Sequence, residues 1–99
     1  MQTEVLTRPD TTTEVKEPSM FAVYIHNDDI TTQDFVVEIL VRIFDKSSVE
    51  AVKLMLAVHN EGRGLAGIYT YDIAYTKKHQ ADAMSRERGF PLKLTLEEA

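Results

Sequence analysis

The sequence predicts an α+β domain: a small three-stranded antiparallel sheet covered on one face by three helices, in the order β-α-α-β-α-β. Three observations predict it. Apolar residues alternate with period two over residues 20–26 and 92–97. They recur at helical spacing through residues 35–44, 49–59 and 71–88. Glycine-containing breakers at Glu61-Gly62-Arg63-Gly64 and at Gly89 mark where one period gives way to another. Short strands with helices gathered on one side make a two-layer sandwich.

Residues 1–19 carry threonines, Arg8-Pro9-Asp10 and Glu17-Pro18, with only Val5, Leu6 and Val15 as scattered aliphatics. That is too little apolar surface to offset the entropy of ordering the chain, so a flexible N-terminal extension is expected, with the core domain at residues 20–99. Met20 to His26 then places Phe21, Val23 and Ile25 on one face of a strand and Ala22, Tyr24 and His26 on the other. Asn27-Asp28-Asp29 is turn chemistry. Thr31 as N-cap with Asp34 three residues on forms a capping-box-like pair opening the first helix, whose buried stripe is Phe35, Val36, Ile39, Leu40, Ile43 and Phe44.

Asp45-Lys46-Ser47 ends that helix, and Ser47 with Glu50 is a second capping box. The second helix runs to about Asn60, with Val49, Val52, Met55, Leu56 and Val58 or His59 as its apolar positions. Leu65–Tyr69 reads as a strand. Thr70 caps a third helix from Tyr71 to about Arg88, with Ile73, Ala74, Ala81 and Met84 inside, and Gly89 ends it. Phe90-Pro91 turns the chain into Leu92, Leu94 and Leu96, alternating with Lys93, Thr95 and Glu97, a last strand with one wet face.

Composition narrows the function. The chain has 99 residues, a formal charge of −5 and no cysteine, which excludes disulfides and thiolate metal sites. A negative balance disfavours nucleic acid, whose phosphates are bound by basic surfaces. No apolar run approaches the roughly 18 residues of a membrane span, so a cytoplasmic protein with no membrane partner is expected.

The residue types with chemical potential are Asn27, Asp28, Asp29, Asp34 and the histidines at 26, 59 and 79. Asp28 or Asp29 paired with His59 would make a general base and its orienter, the basis of an acid–base enzyme. No cysteine or serine elbow supplies a nucleophile. A metal site built from His26, Asp28 and Asp29 lacks the spaced histidine pair of common zinc motifs. A third reading fits the mixture better. Asn oxygen, Asp carboxylate and neutral His nitrogen are all acceptors, and beside an apolar hollow they suit a cationic donor carrying an apolar side chain, such as the first residue of a peptide.

An ordered set of motifs then stands out: Pro18-Ser19-Met20, Asn27-Asp28-Asp29 with Thr31, Phe35-Val36, Met55-Leu56-Ala57-Val58-His59 followed by Gly62, Gly67-Ile68-Tyr69-Thr70, Thr76-Lys77 and Pro91-Leu92. From about Pro18 to Glu97 the chain resembles the ClpS adaptors, which recognise N-degrons, destabilising N-terminal residues. The resemblance implies a monomeric, non-enzymatic adaptor without cofactor, metal or catalytic residue. Such an adaptor binds substrates beginning with Phe, Tyr, Trp or Leu and delivers them to the ClpA unfoldase of the ClpAP protease. It implies that Asn27, Asp28 and His59 hold the substrate's N-terminal amine and first peptide group. Thr31, Gln33, Val36, Met55, Val58 and Leu92 would line the side-chain pocket. Asp72, Thr76 and Lys77 would face the ClpA N-terminal domain, and residues 1–19 would engage the unfoldase during hand-over. Two positions depart from the family's usual pattern. Thr32-Gln33 replaces Pro-Met, whose Met is the pocket's gatekeeper against β-branched first residues, and Tyr75 stands where many relatives carry an acidic residue.

Overall fold

Three of the strand and helix boundaries follow from a single kind of event, a residue driven to positive φ where the helical ladder can no longer continue. In this computed structural model, which describes residues 19–99, β1 (Met20–His26) leads through a polar turn into α1 (Gln33–Arg42). Asp45, at φ 59, reverses the chain into α2 (Ser48–Glu61). Gly62, at φ 94, ends α2 with its N–H on the Val58 carbonyl, and β2 (Arg63–Thr70) begins at once. After α3 (Tyr71–Arg88), Gly89 at φ 78 plays the same part and β3 (Lys93–Glu98) closes the chain. The expectation of a flexible segment over residues 1–19 lies, except for Ser19, outside the described residues.

β1 is the central strand, antiparallel to β2 on one side and β3 on the other, so the order is β2-β1-β3. Val23 pairs with Gly67 and Tyr24 with Leu65, which leaves Ala66 as a bulge on β2. α3 packs across all three strands, α2 against β2, and α1 against α2. Val23, Ile25, Phe35, Ile39, Leu40 and Leu94 fill the space between. The opposite sheet face is wet. There Arg63 lies 3.9 Å over the Tyr24 ring and reaches Glu97 at 2.6 Å, while His26 shares a 2.7 Å hydrogen bond with Thr95. No helix among the described residues is long and apolar enough to cross a membrane.

Several elements differ in detail from the sequence reading. Thr32, not Thr31, is the N-cap of α1 and accepts from the Phe35 N–H at 3.2 Å. Thr31 is already claimed by Asp28, so the helix starts one residue later. The Ser47–Glu50 capping box is formed as expected. In α2, however, the buried stripe is Ala51, Met55 and Val58 with Leu54 packed beside it, whereas Val49, Val52 and Leu56 face solvent. Two apolar stripes run along this helix. The one carrying the small Ala51 lets neighbouring elements approach more closely.

α3 is seated by small residues too. Ala74, Ala81 and Ser85 are its buried positions, and Ser85 satisfies its hydroxyl on the Ala81 carbonyl at 2.8 Å. Ile73, expected inside, is half exposed on the flank. Thr70 occupies the N-cap but makes no side-chain cap bond. β2 runs two residues further toward the N-terminus than Leu65, because Gly62 completes the reversal alone.

Glu38 of α1 ties two helices together: it accepts from Arg42 at 2.7 Å and from both terminal guanidinium nitrogens of Arg88, at 3.1 and 2.8 Å. The hydrogen bonds from Arg88 and then Arg42 push its pKa down to about 2 from 4.5. A carboxylate with a depressed folded-state pKa contributes its stability above the unfolded value and loses it as pH falls through the folded one. Glu38→Gln should therefore be less stable at neutral pH. Its urea midpoint should also fall less steeply than the parent's between pH 4.5 and 2. Parallel midpoint curves for the two proteins would show that the ion-pair cluster contributes nothing.

Candidate functional site

Two polypeptide reversals meet at one place. The N–H of Asn27, just past the end of β1, donates to the carbonyl of Gly62 at the end of α2, at 2.8 Å. This is the continuation of the β1–β2 ladder, whose last pair is His26 with Arg63. It sets the Asn27-Asp28-Asp29 turn beside the last turn of α2, and so beside His59.

Inside the turn, Asp28 is the organising group. One carboxylate oxygen accepts the N–H groups of Ile30 and Thr31, at 2.8 and 2.7 Å, and the other accepts the Thr31 hydroxyl at 2.7 Å. Partial burial opposes ionisation, but the bonds from Thr31 and Ile30 outweigh it and hold the carboxyl below its ordinary value. An ionised carboxylate offers about four lone-pair positions. Among the described residues three are occupied, which leaves the fourth, on the oxygen bonded to the Thr31 hydroxyl, to a ligand's proton.

Between the turn, the first turn of α1 and the end of α2 lies a cavity of about 210 Å³ lined by Asn27, Asp28, Asp29, Thr31, Gln33, Val36, Met55, Val58 and His59. Its walls divide by chemistry. Val36, Met55 and Val58 are buried and shared with the main core, while Asn27, Asp29, Gln33 and His59 are exposed on the rim. Gly64 permits the close fit of β2 against this wall: a Cβ there would stand 2.8 Å from the Val58 Cγ2 and 3.2 Å from the Leu54 Cδ2. Among the described residues, neither the Asn27 amide nor the His59 ring has a hydrogen-bond partner. Two carboxylates at the mouth, Asp28 and Asp29, favour a bound cation.

The structure thus brings together all three residues expected at the substrate amine and five of the six expected in the pocket. Leu92 is the exception. It is 7% exposed, belongs to the central core ahead of β3 and does not line the cavity. Asp29, assigned by sequence reasoning only to the enzyme and metal readings, is a rim residue. Its place after Asn27-Asp28 in a tight turn was the available signal.

His26 lies on the wet face of the sheet, which separates it from the partners that the metal reading required. Among the described residues no three His, Asp or Glu side chains converge as a metal ion needs. On α3, Asp72, Thr76 and Lys77 do share a shallow groove with Ile73 and Gln80. Lys77 is nevertheless directed inward, donating to the Ile43 carbonyl at 2.7 Å with 18% of its side chain exposed. It closes the C-terminal end of α1.

Residues 16–95 match the family model described as ATP-dependent Clp protease adaptor protein ClpS. The chain belongs to this family. It is 43% identical over 97 residues to the ATP-dependent Clp protease adapter protein ClpS of Acetivibrio thermocellus, covering 98% of each chain. It is 55% identical over 84 residues to the ClpS of Wolinella succinogenes, covering 85% of this chain and 82% of that one. Among solved structures it is similar to Agrobacterium tumefaciens ClpS2 bound to L-phenylalaninamide, with a TM-score of 0.81 and 32% identity, covering 84% of this chain and 100% of that one. ClpS relatives are named as adaptors rather than enzymes, and this chain is accordingly an adaptor with the α+β fold expected of it.

Three substitutions test the architecture of the site. Asp28→Ala removes all three turn bonds and should cost roughly 1–2 kcal/mol in urea unfolding, whereas Asp28→Asn keeps an acceptor for the two N–H groups and should cost less than about 1. No loss in Asp28→Ala would mean that the carboxylate does not organise the turn. Gly64→Ala should lower the thermal midpoint by displacing Val58, and an unchanged midpoint would show that the wall yields freely.

Proposed function

We propose that the protein binds the free N-terminus of polypeptides whose first residue is bulky and apolar and presents them to the ClpA unfoldase of the ClpAP protease. The observation that carries this reading is the division of the cavity: unpartnered acceptors on its rim and an apolar floor beneath. The α-ammonium group donates to the open lone pair of Asp28, to the Asn27 amide oxygen and to the His59 ring, and the first side chain fills the space over Val36, Met55 and Val58. A cavity of about 150 Å³ is enough to hold benzene. The 210 Å³ here accommodates a phenyl or isobutyl group. L-phenylalaninamide, the molecule in the Agrobacterium relative, carries the two features this cavity complements, a free α-amine and an aromatic side chain.

The energies balance only if both features are present. Filling the floor with a Phe or Leu side chain contributes roughly 1.5–3 kcal/mol. Each hydrogen bond to the charged amine contributes roughly 1.5–3, and association costs at least about 4. Three such bonds with one filled pocket approach the about 8 kcal/mol of a micromolar complex, which neither part reaches alone. For delivery, the groove of Asp72 and Thr76 on α3 lies outside the substrate cavity and is open to the ClpA N-terminal domain. Lys77 fastens that helix to the C-terminal end of α1.

A peptide beginning with Phe should bind with a Kd of about 1 μM or tighter in fluorescence anisotropy, and its N-acetylated form should not bind. Equal binding of the two would remove the amine site. Asp28→Asn, which largely preserves the turn, should weaken the free-amine peptide by about tenfold or more, the equivalent of one charge-assisted bond.

A further inference from the structure

The solvent-facing stripe of α2 has a definite position relative to the proposed site. His59, Leu56, Val52 and Val49 succeed one another at spacings of three, four and three residues, which places them along one side of the helix. The first of them is on the cavity rim, and the next three are aliphatic and 43%, 43% and 66% exposed. These residues do not support the fold, since Ala51, Met55 and Val58 supply the buried face of the same helix. Large aliphatic side chains in a row that begins at the cavity rim are placed to be covered by the second and later residues of a ligand held there.

We propose that this stripe is an extended substrate subsite: after the first residue enters the cavity, the next residues of the substrate run along α2 and lay aliphatic side chains on Leu56, Val52 and Val49. The proposal rests on the N-terminal recognition reading and adds a second element to its substrate class, a bulky first residue followed by aliphatic residues. The dimensions agree. From His59 to Val49 the helix rises about 15 Å, and an extended peptide advancing about 3.3 Å per residue covers that in four to five residues. Alternate side chains of an extended segment face the same way, so aliphatic residues at every second position meet the stripe.

The test uses the full chain and two fluorescein-labelled peptides that share a first Phe. In one it is followed by five serines. In the other, serine alternates with Val and Leu over the same length. The parent protein should bind the alternating peptide about tenfold more tightly, as expected for partial burial of two or three aliphatic side chains. Leu56→Ser and Val52→Ser, each at an exposed position, should bring the two peptides within about twofold of each other while leaving the serine peptide's affinity unchanged. Equal affinity for both peptides in the parent, or a preference that survives both substitutions, overturns the subsite and leaves first-residue recognition standing. Binding of neither peptide removes both readings. A parent protein that dimerises in sedimentation velocity, with the dimer lost in Leu56→Ser, would assign the stripe to a second copy instead.

Discussion

A single backbone hydrogen bond, from the Asn27 N–H to the Gly62 carbonyl, holds the two halves of the candidate site together. Its net contribution to stability is modest, on the order of 1 kcal/mol. Its importance is geometric. It extends the β1–β2 ladder by one step past His26 and Arg63, and so fastens the turn after β1 to the residue that ends α2. Gly62 can serve because its positive φ turns the chain within one residue, leaving no loop between the helix and the strand. A longer connection would separate the carboxylates of the turn from the ring of His59.

Asp28 shows how the same group can hold a structure and remain available to a ligand. Three hydrogen bonds immobilise its carboxylate before anything binds, so little rotamer entropy remains to be lost on association. Those bonds also favour its ionised form, and among the described residues they leave one lone pair without a donor. The apolar residues are shared in a comparable way. Val36, Met55 and Val58 belong to the main core as well as to the floor of the cavity. Movement of any one of these side chains would therefore disturb the packing of α1 on α2.

The helices are held by unlike means. α1 buries large residues, Phe35, Ile39 and Leu40, and is tied at its middle by Glu38 to Arg88 and at its end by Lys77 on the Ile43 carbonyl. α3 instead lies close to the sheet on Ala74, Ala81 and Ser85, which leaves Tyr71, Tyr75 and His79 stacked along its outer side. Lys77, which the family resemblance assigned to a partner surface, is thus drawn into the fold, while Asp72 and Thr76 beside it stay open to solvent.

The sequence by itself determined the order of elements, the stripe of α1, the second capping box and the stops at Gly62 and Gly89. Each of these depends on residues within a few positions of one another, where propensity, capping and period act directly. It also placed Asn27, Asp28 and His59 in one site, but only through resemblance, since nothing local relates positions 27 and 59. Tertiary structure alone decided which of two apolar stripes on α2 is buried, that Thr31 serves Asp28 rather than the helix, that Leu92 belongs to the core and that Lys77 turns inward. In each of these the side chain has two chemically acceptable partners, and the choice is made by which one the packing of distant segments brings within reach.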